Sequence, residues 1–336
     1  MNFKVSNDFK KFFNNNKLSQ VDLDQGLLQT AQVCLYRELE QKKLFQFKPQ
    51  LFYGDEWFTP DGTIWIAVPF YLGSVICKKI EKELIGEVEG GSFSQMMKLI
   101  RHEAGHCFEH AYRLSKTKEW KSFFGNPSDH YDPEFFYPDP TNLSYVSYLP
   151  DFYSQSHPEE DFAETFAFWL DPKKNTKIKN FALKKKFDYL DEISKKLSKV
   201  EPFPKYKKKA YEVSTLKYSI KKHYQMRFNE NPCEFFFFYD DLLFEFFESK
   251  PGISGAEWIK ERSVHLVSRV QKNTSVHPYF IKKFLKKCMK RCEFLKLSVS
   301  SSCEEIEKKL IYELSILFLH YRIRGRMMNP VKGTFV

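Results

Sequence analysis

A five-residue pattern near position 100 constrains this chain more than any other stretch. His102, Glu103 and His106 form an H-E-x-x-H pattern. On an α-helix, residues four apart share one face and lie about one turn apart along the axis. Two imidazoles at this spacing can bind one zinc ion, while the glutamate carboxylate reaches a water molecule on that ion. The pattern is therefore half of a catalytic zinc site, because such a site needs at least a third protein ligand.

The residues around the pattern predict where its helix begins and that the helix is buried. Ser92 and Gln95 have the S-x-x-Q spacing of a capping box, directly after two glycines. Apolar residues then occupy much of the sequence as far as Leu114. A helix this apolar normally lies between layers of a fold. Histidine and glutamate at ligand spacing on such a helix are difficult to explain as core filling.

His110 is the nearest candidate for the third ligand, but its position argues against it. It lies two turns beyond His102, about 12 Å along a straight helix at 1.5 Å per residue. In the alternative pattern, a glycine breaks the helix before a third histidine, which requires these residues at positions 109 and 112. The chain has Glu109 and Tyr112 there. We therefore interpret His110 as a packing residue or one that supports the ligands.

A stronger candidate lies further along the chain, in the sequence SHPEEDFAETFA. Ser156 and Glu159 have capping-box spacing, and Pro158 suits a first helical turn. With Glu159 assigned to the cap, we expect Glu160 to bind the metal. Glu164, four residues later, would accept the N–H of a ligating histidine. The alternative is an ordinary acidic first turn, but Glu164 lies among apolar residues, where an acid needs a partner.

The composition indicates a folded protein without an export signal. The 336 residues, 42% of them hydrophobic, suffice for one large or two medium domains. Residues 1–20 lack the apolar core of a signal peptide. The most apolar run, 235–247, contains three acids, so no transmembrane segment is expected. The seven cysteines are odd in number and scattered, which is typical of reduced thiols. We expect a cytoplasmic location.

The net charge of +10 is concentrated in one stretch. Residues 173–209 contain fourteen lysines and four acids. A basic stretch can bind nucleic acid or an anionic membrane. Here the lysines flank apolar positions, as they would on the solvent-exposed face of a packed helix. Nucleic-acid binding is therefore not expected.

The remaining patterns of the first half predict an α+β fold. Residues 25–42 and 73–88 have helical periodicity, whereas residues 44–53 and 63–71 have the composition of strands. Pro69 indicates a strand at a sheet edge, because proline cannot donate a ladder hydrogen bond. Together with the two motif helices, these segments predict a small mixed sheet packed with helices.

Several separated motifs resemble one known family. The motifs are PFYLGS at 69–74, EVEGG at 87–91, RHEAGH at 101–106, HAYRL at 110–114 and SHPEEDFAETFAFWL at 156–170. In this order they resemble bacterial zinc-binding metallopeptidases of the gluzincin type, in which two histidines of H-E-x-x-H and a downstream glutamate bind zinc. The resemblance covers roughly residues 55–200. It implies a zincin-like fold, zinc (Zn²⁺) as cofactor and hydrolysis of a peptide or protein substrate.

The E-D-F-A-E block also resembles the E-F-F-A-E block of anthrax lethal factor, in which the first glutamate binds zinc. This resemblance implies that Glu160 is the third ligand and that Glu164 supports a ligand. In lethal factor, a tyrosine seven residues before the ligand glutamate faces the active site. The corresponding residue here is Tyr153, a candidate hydrogen-bond donor to the reaction's oxyanion. The alternative is a loop aromatic without a catalytic role.

Three segments make up the predicted chain. A polar leader at 1–19 precedes a zincin-like metallopeptidase domain at 20–204, which contains the small mixed sheet, the HExxH helix and the helix with the ligand glutamate. A mostly α-helical C-terminal domain follows at 205–336. Within the first domain, the long aromatic segment 123–155 is expected to border the site. An edge strand at 64–68 could pair with an extended peptide substrate.

The expected function is zinc-dependent hydrolysis of a peptide bond, with Glu103 as general base. One alternative is a non-catalytic interaction protein on a zincin scaffold. Another is a zinc amidohydrolase that acts on a non-peptide amide. The intact Glu103 favours catalysis, because a binding module does not need a general base.

Overall fold

The computed structural model describes residues 3, 5–60, 62–130, 138–174, 179–203, 211–299 and 304–324. Its elements, in chain order, are α1 (Asn7–Asn15), α2 (Gln25–Gln41), β1 (Gln50–Gly54), β2 (Trp65–Pro69), α3 (Val75–Ile85), α4 (Phe93–Tyr112), α5 (Lys118–Phe124), α6 (Pro158–Leu170), α7 (Phe181–Leu197), α8 (Ile220–Glu230), α9 (Asp240–Phe246), β3 (Ile253–Ser254), α10 (Gly255–Thr274), α11 (Pro278–Leu295), β4 (Ser298–Val299) and α12 (Glu304–Arg324). No helix within these ranges combines the length and the apolar character needed to cross a membrane.

The described residues divide into two compact units. The first unit comprises Phe12–Lys79 and Val88–Ile220, and the second comprises Met1–Lys11, Ile80–Glu87 and Lys221–Val336, each as far as the chain is described. Parts of three predicted features lie outside the described residues. They are the predicted domain boundary between 204 and 205, residues 175–178 and 204–209 of the basic stretch, and residues 131–137 of segment 123–155. The division into domains at 20–204 and 205–336 therefore stays a prediction.

A small sheet lies in the first unit. β1 and β2 are parallel and in register from Gln50 with Trp65 to Gly54 with Pro69. On the other edge of β2, the N–H of Ala67 donates to the carbonyl of Phe58 at 2.9 Å, in an antiparallel bridge. The strands are shorter than the predicted ranges 44–53 and 63–71, because a ladder forms only where a partner backbone lies alongside.

The helix that carries the H-E-x-x-H pattern is α4, and it begins as predicted. The Oγ of Ser92 accepts the N–H of Gln95 at 3.3 Å, and the Oε1 of Gln95 accepts the N–H of Ser92 at 3.2 Å. The helix ends where Arg113 takes a left-handed conformation, with φ of 52°. Most of α4 is buried, including Ile100 and Phe108. The capping box and the buried helix are thus confirmed.

The start of α6 differs from the prediction by one residue. His157, not Ser156, caps this helix, because its Nδ1 accepts the N–H of Glu159 at 3.3 Å. An N-cap residue has an extended backbone, whereas Ser156 has helical angles (φ −75°, ψ −36°) at the end of the preceding 3-10 helix Pro150–Gln155. The predicted capping box is therefore wrong.

α4 and α6 pack against each other at very short range. A Cβ atom added at Gly105 would lie 2.7 Å from Cα and 3.0 Å from the carbonyl oxygen of Ala163. One turn further along α4, the ring of Phe108 stacks on Phe166 of α6, with centroids 5.1 Å apart. The absence of a side chain at position 105 thus permits the two backbones to approach, and aromatic packing holds them together.

Most of the described part of the basic stretch forms α7 and largely follows its prediction. Lys184 and Lys185 are exposed, while Phe187 and Leu190 are buried. Lys186 is an exception: it is buried, and its Nζ donates to the carboxylate of Asp161 at 2.6 Å. The charge of Lys186 is therefore paired inside the first unit, whereas most of the other described lysines of the stretch face solvent.

The second unit is helical, in agreement with the predicted pattern. α10, α11 and α12 contribute a common core that includes Trp258, Phe284 and Leu317. Inside this unit, Arg291 forms a bidentate ion pair with Asp240, with nitrogen–oxygen distances of 2.7 and 2.6 Å. A short antiparallel pair, β3 with β4, completes the unit.

We expect Gly105→Ala to lower the free energy of unfolding by ~3 kcal/mol, because the new methyl group overpacks a contact with backbone atoms. Ala163→Gly in the same chain should restore little, because the Cα and carbonyl oxygen of residue 163 remain. Gly26→Ala is the control: a Cβ there would meet only Asp24 Oδ1, at 3.2 Å. Urea unfolding of the three variants measures these changes. A Gly105→Ala protein as stable as the wild type would contradict the packing described here.

Candidate metal centre

Two helices of the first unit bring the three predicted ligands together. α4 carries His102 and His106, and α6 carries Glu160. The Nε2 atoms of the two histidines lie 3.2 Å apart. The Oε2 of Glu160 lies 3.1 Å from Nε2 of His102 and 3.3 Å from Nε2 of His106. Within the described ranges, this is the one group of side chains found that could hold a metal ion.

The geometry of this group fits zinc. Ligand atoms at about 2.0–2.1 Å from a tetrahedral ion lie about 3.3 Å from one another, close to the three distances above. Two imidazole nitrogens and one carboxylate oxygen are a common donor set of catalytic zinc sites, which keep a fourth position for water or substrate. His102 and Glu160 are buried, whereas His106 is partly exposed.

The ligands are also electrostatically coupled. Burial lowers the pKa of His106, but the charge of Glu160 and the hydrogen bond to it outweigh burial and raise that pKa to about 9. Burial raises the pKa of Glu160, but the charge of His106 and hydrogen bonds from both histidines hold it well below its usual range. Because zinc binds neutral imidazole, metal ion and proton compete for this site.

Glu103 lies beside the ligands but is not one of them. It is only 7% exposed, and its charge contributes to the raised pKa of His106. The Oγ of Thr59 donates to its Oε2 at 3.0 Å. The sequence gives no sign of this contact, because Thr59 lies in a Thr-Pro-Asp-Gly turn signal, 44 positions away.

Glu164 is fully buried behind the ligands. Its carboxylate accepts the N–H groups of Tyr148 and Leu149 at 3.0 and 3.1 Å. Burial raises the pKa of Glu164, while the charge of His102 and these two hydrogen bonds lower it. The Nδ1 of His102 is buried and has no hydrogen-bond partner among the described residues. Acceptance of a histidine N–H by Glu164 stays a prediction.

Tyr153 lies next to His102, one of the candidate metal ligands. Its ring centroid is 5.8 Å from that of His102, and its side chain is partly exposed. The two preceding residues, Asp151 and Phe152, have left-handed backbones, with φ of 69° and 58°. Such conformations are strained for residues with side chains and occur often at functional sites. The structure thus places Tyr153 at the site but does not test its role.

A buried network fixes the segment that holds Glu164. The guanidinium of Arg101 pairs with Glu38 at 2.8 and 2.7 Å and donates to the hydroxyl of Tyr148 at 3.0 Å. The Tyr148 hydroxyl in turn donates to Asp171 at 3.0 Å. This network joins α2, α4 and the end of α6 to the backbone that binds Glu164. None of its members was a predicted site residue.

The other predicted candidates lie outside the ligand group. Nε2 of His110 lies 3.5 Å from Oε2 of Glu109, and His110 is not part of the group that could hold a metal. The side chain of Glu159 is 38% exposed, and its Oε2 lies 3.8 Å from Nδ1 of His157. Of the two adjacent glutamates at the start of α6, only Glu160 approaches the histidines closely enough to complete the group.

Residues 90–233 match a family model described as "Putative zinc-binding metallo-peptidase". The matched region contains both motif helices and somewhat less than half of the chain. The family's description as zinc-binding agrees with the His-His-Glu group, so zinc is the cofactor that the sequence, the geometry and the match all indicate. No curated protein and no solved structure matches the chain.

We expect Glu160→Gln to weaken zinc binding by more than about 100-fold, since even the loss of a supporting residue costs about 10- to 100-fold in affinity. Glu159→Gln is the matched control, because this neighbouring acid is not in the ligand group; it should bind zinc within about threefold of wild type. Metal analysis and competition with a chromophoric chelator measure both affinities. Zinc loss in Glu159→Gln but not in Glu160→Gln would contradict the assignment.

Proposed function

We propose that this chain is a zinc metallopeptidase of the gluzincin type, which hydrolyses a peptide bond. His102, His106 and Glu160 would hold the zinc ion, and Glu103 would be the general base. The observation that carries the proposal is the buried carboxylate of Glu103, one residue from a ligand and outside the ligand group. The match to a metallopeptidase family supports the same reaction class.

The metal and Glu103 would have separate chemical roles. Zinc held by these three residues would polarise the scissile carbonyl and lower the pKa of a water molecule. Glu103 would accept the proton of the attacking water and then donate it to the leaving amine, as general base and then general acid. Its Oε2 is held by Thr59, which leaves Oε1 as the oxygen for this proton transfer.

Tyr153 would stabilise the negative charge that develops on the carbonyl oxygen. Its ring lies beside His102, and a phenol is a suitable hydrogen-bond donor to an oxyanion. The left-handed residues before it fix the start of this turn, which reduces the freedom of the side chain before substrate binds. Preorganised donors of this kind contribute most when they do not have to move during the reaction.

The expected pairing of a peptide with residues 64–68 needs correction. The N–H of Ala67 already donates to Phe58, so the segment around Phe58 covers that edge of β2. The next residue, Thr59, contacts the carboxylate of Glu103 through its Oγ. We infer that a peptide substrate would lie along the segment at Phe58 and Thr59, beside Glu103, and not along β2.

We expect Glu103→Gln to retain one equivalent of zinc and to lose peptide hydrolysis by about 10²- to 10⁴-fold, the usual contribution of a general base. The assay incubates zinc-loaded protein with a mixed peptide library and identifies new termini by mass spectrometry. Glu159→Gln is the control and should cleave like the wild type. Hydrolysis at the wild-type rate by Glu103→Gln would refute the assigned role, and cleavage of simple amides alone would indicate a non-peptide substrate.

We expect Tyr153→Phe to lower kcat by about 100-fold with little change in KM, because it removes a donor that acts mainly in the transition state. Zinc content should stay at the wild-type level. Tyr145→Phe is a suitable control, since Tyr145 lies under the buried Lys186, 4.5 Å from its Nζ to the ring centroid. An unchanged kcat in Tyr153→Phe would contradict the role of Tyr153 as an oxyanion donor and would indicate that its ring only packs in the turn.

A further inference from the structure

Thr59 connects the sheet side of the first unit to the general base. The preceding residue, Phe58, is bound to β2 through its carbonyl, which fixes the backbone at this point. From there, the Oγ of Thr59 lies 3.0 Å from Oε2 of Glu103, 3.1 Å from the backbone oxygen of Glu103 and 3.7 Å from Sγ of Cys107. One hydroxyl group thus contacts both the side chain and the backbone of the residue that would move the proton.

This hydroxyl is the only hydrogen-bond donor to the Glu103 carboxylate in the part of the chain that the structure describes. The carboxylate is almost fully buried, where an ionised acid without a donor is costly. A hydrogen bond from a hydroxyl to a carboxylate is also stronger than one between neutral groups. Thr59 therefore limits the rotation of the Glu103 side chain.

The two contacts restrict the Glu103 side chain relative to its own backbone. The hydroxyl of Thr59 lies 3.0 Å from Oε2 and 3.1 Å from the backbone oxygen of the same residue. A rotation that moves the carboxylate away from Thr59 would break the contact with Oε2. Thr59 therefore defines the orientation of the base.

We propose that Thr59 is a positioning residue for Glu103: its hydroxyl holds Oε2 and leaves Oε1 as the oxygen that exchanges the proton. This inference rests on the proposed function. Thr59 would thus influence the reaction through Glu103, although Thr59 lies on neither motif helix. Because Thr59 acts through Glu103, its contribution exists only while that carboxylate is present.

The test compares Thr59→Val, which keeps the shape of the side chain but lacks the hydroxyl, with Thr59→Ser, which keeps the hydroxyl. We expect Thr59→Val to retain one equivalent of zinc and a single cooperative unfolding transition, at a lower temperature than the wild type because the buried carboxylate loses its donor. Its kcat should fall about 10- to 100-fold, as expected for a misplaced catalytic group, with KM unchanged. Thr59→Ser should stay within about threefold of wild type. Equal defects in both variants, or none in Thr59→Val, would overturn the proposal.

A double variant separates positioning from a general structural role. In the Glu103→Gln background, Thr59→Val should cause no further loss of the residual rate, because residues that act as one unit are not additive. A further loss of the full 10- to 100-fold would show that Thr59 acts independently of Glu103 and would overturn the proposal.

A crystallographic readout distinguishes failure of this inference from failure of the proposed function. If the wild type cleaves no peptide, the proposed function fails, but crystal structures of zinc-loaded wild type and Thr59→Val still test the contact. We expect the Glu103 carboxylate to be displaced or to take several rotamers in Thr59→Val and to be single and bound to Oγ in the wild type. The same single position in both would overturn the positioning role.

Discussion

The close approach of α4 and α6 at Gly105 is the constraint on which the candidate metal centre depends. Gly105 lies between the two candidate ligand histidines in sequence, and its partner Ala163 lies three residues after Glu160. Because backbone meets backbone here, the separation of the ligands is set by two rigid helices. A site built on rigid elements holds its geometry without ordering flexible side chains when a ligand binds.

Bringing charged groups into this buried region requires compensation. Isolated buried charges are costly, and each such group needs a partner of opposite charge or several hydrogen bonds. The Glu164 carboxylate accepts hydrogen bonds from two backbone N–H groups. Arg101 forms an ion pair with Glu38, and the Glu160 carboxylate contacts two imidazoles. Each of these three groups is therefore compensated by specific partners, and the loss of one partner would leave a buried charge uncompensated.

Local patterns predicted much of the site, and contacts between distant residues account for the rest. The helix with His102 and His106 and the helix with Glu160 follow from spacing and apolar periodicity, which act within a few residues. The cap of α6 was misassigned because Ser156 belongs to the preceding turn, whose path no local rule describes. Thr59 and Arg101 meet their partners 44 and 63 positions away. The turn signal around Thr59 and the motif that begins at Arg101 do not indicate these partners, so only the fold reveals the contacts.

The Arg101 network has a consequence for how the first unit opens. Its guanidinium joins α2 to α4 and, through Tyr148 and Asp171, to the irregular backbone at residues 146–149 and the end of α6. Releasing one of these segments alone would leave a buried charged group or donor without its partner, which costs about 1–3 kcal/mol or more. The segments therefore open together, as one cooperative unit. A loop, normally among the first parts of a protein to exchange its amide hydrogens with solvent, here shares the lifetime of the helical core.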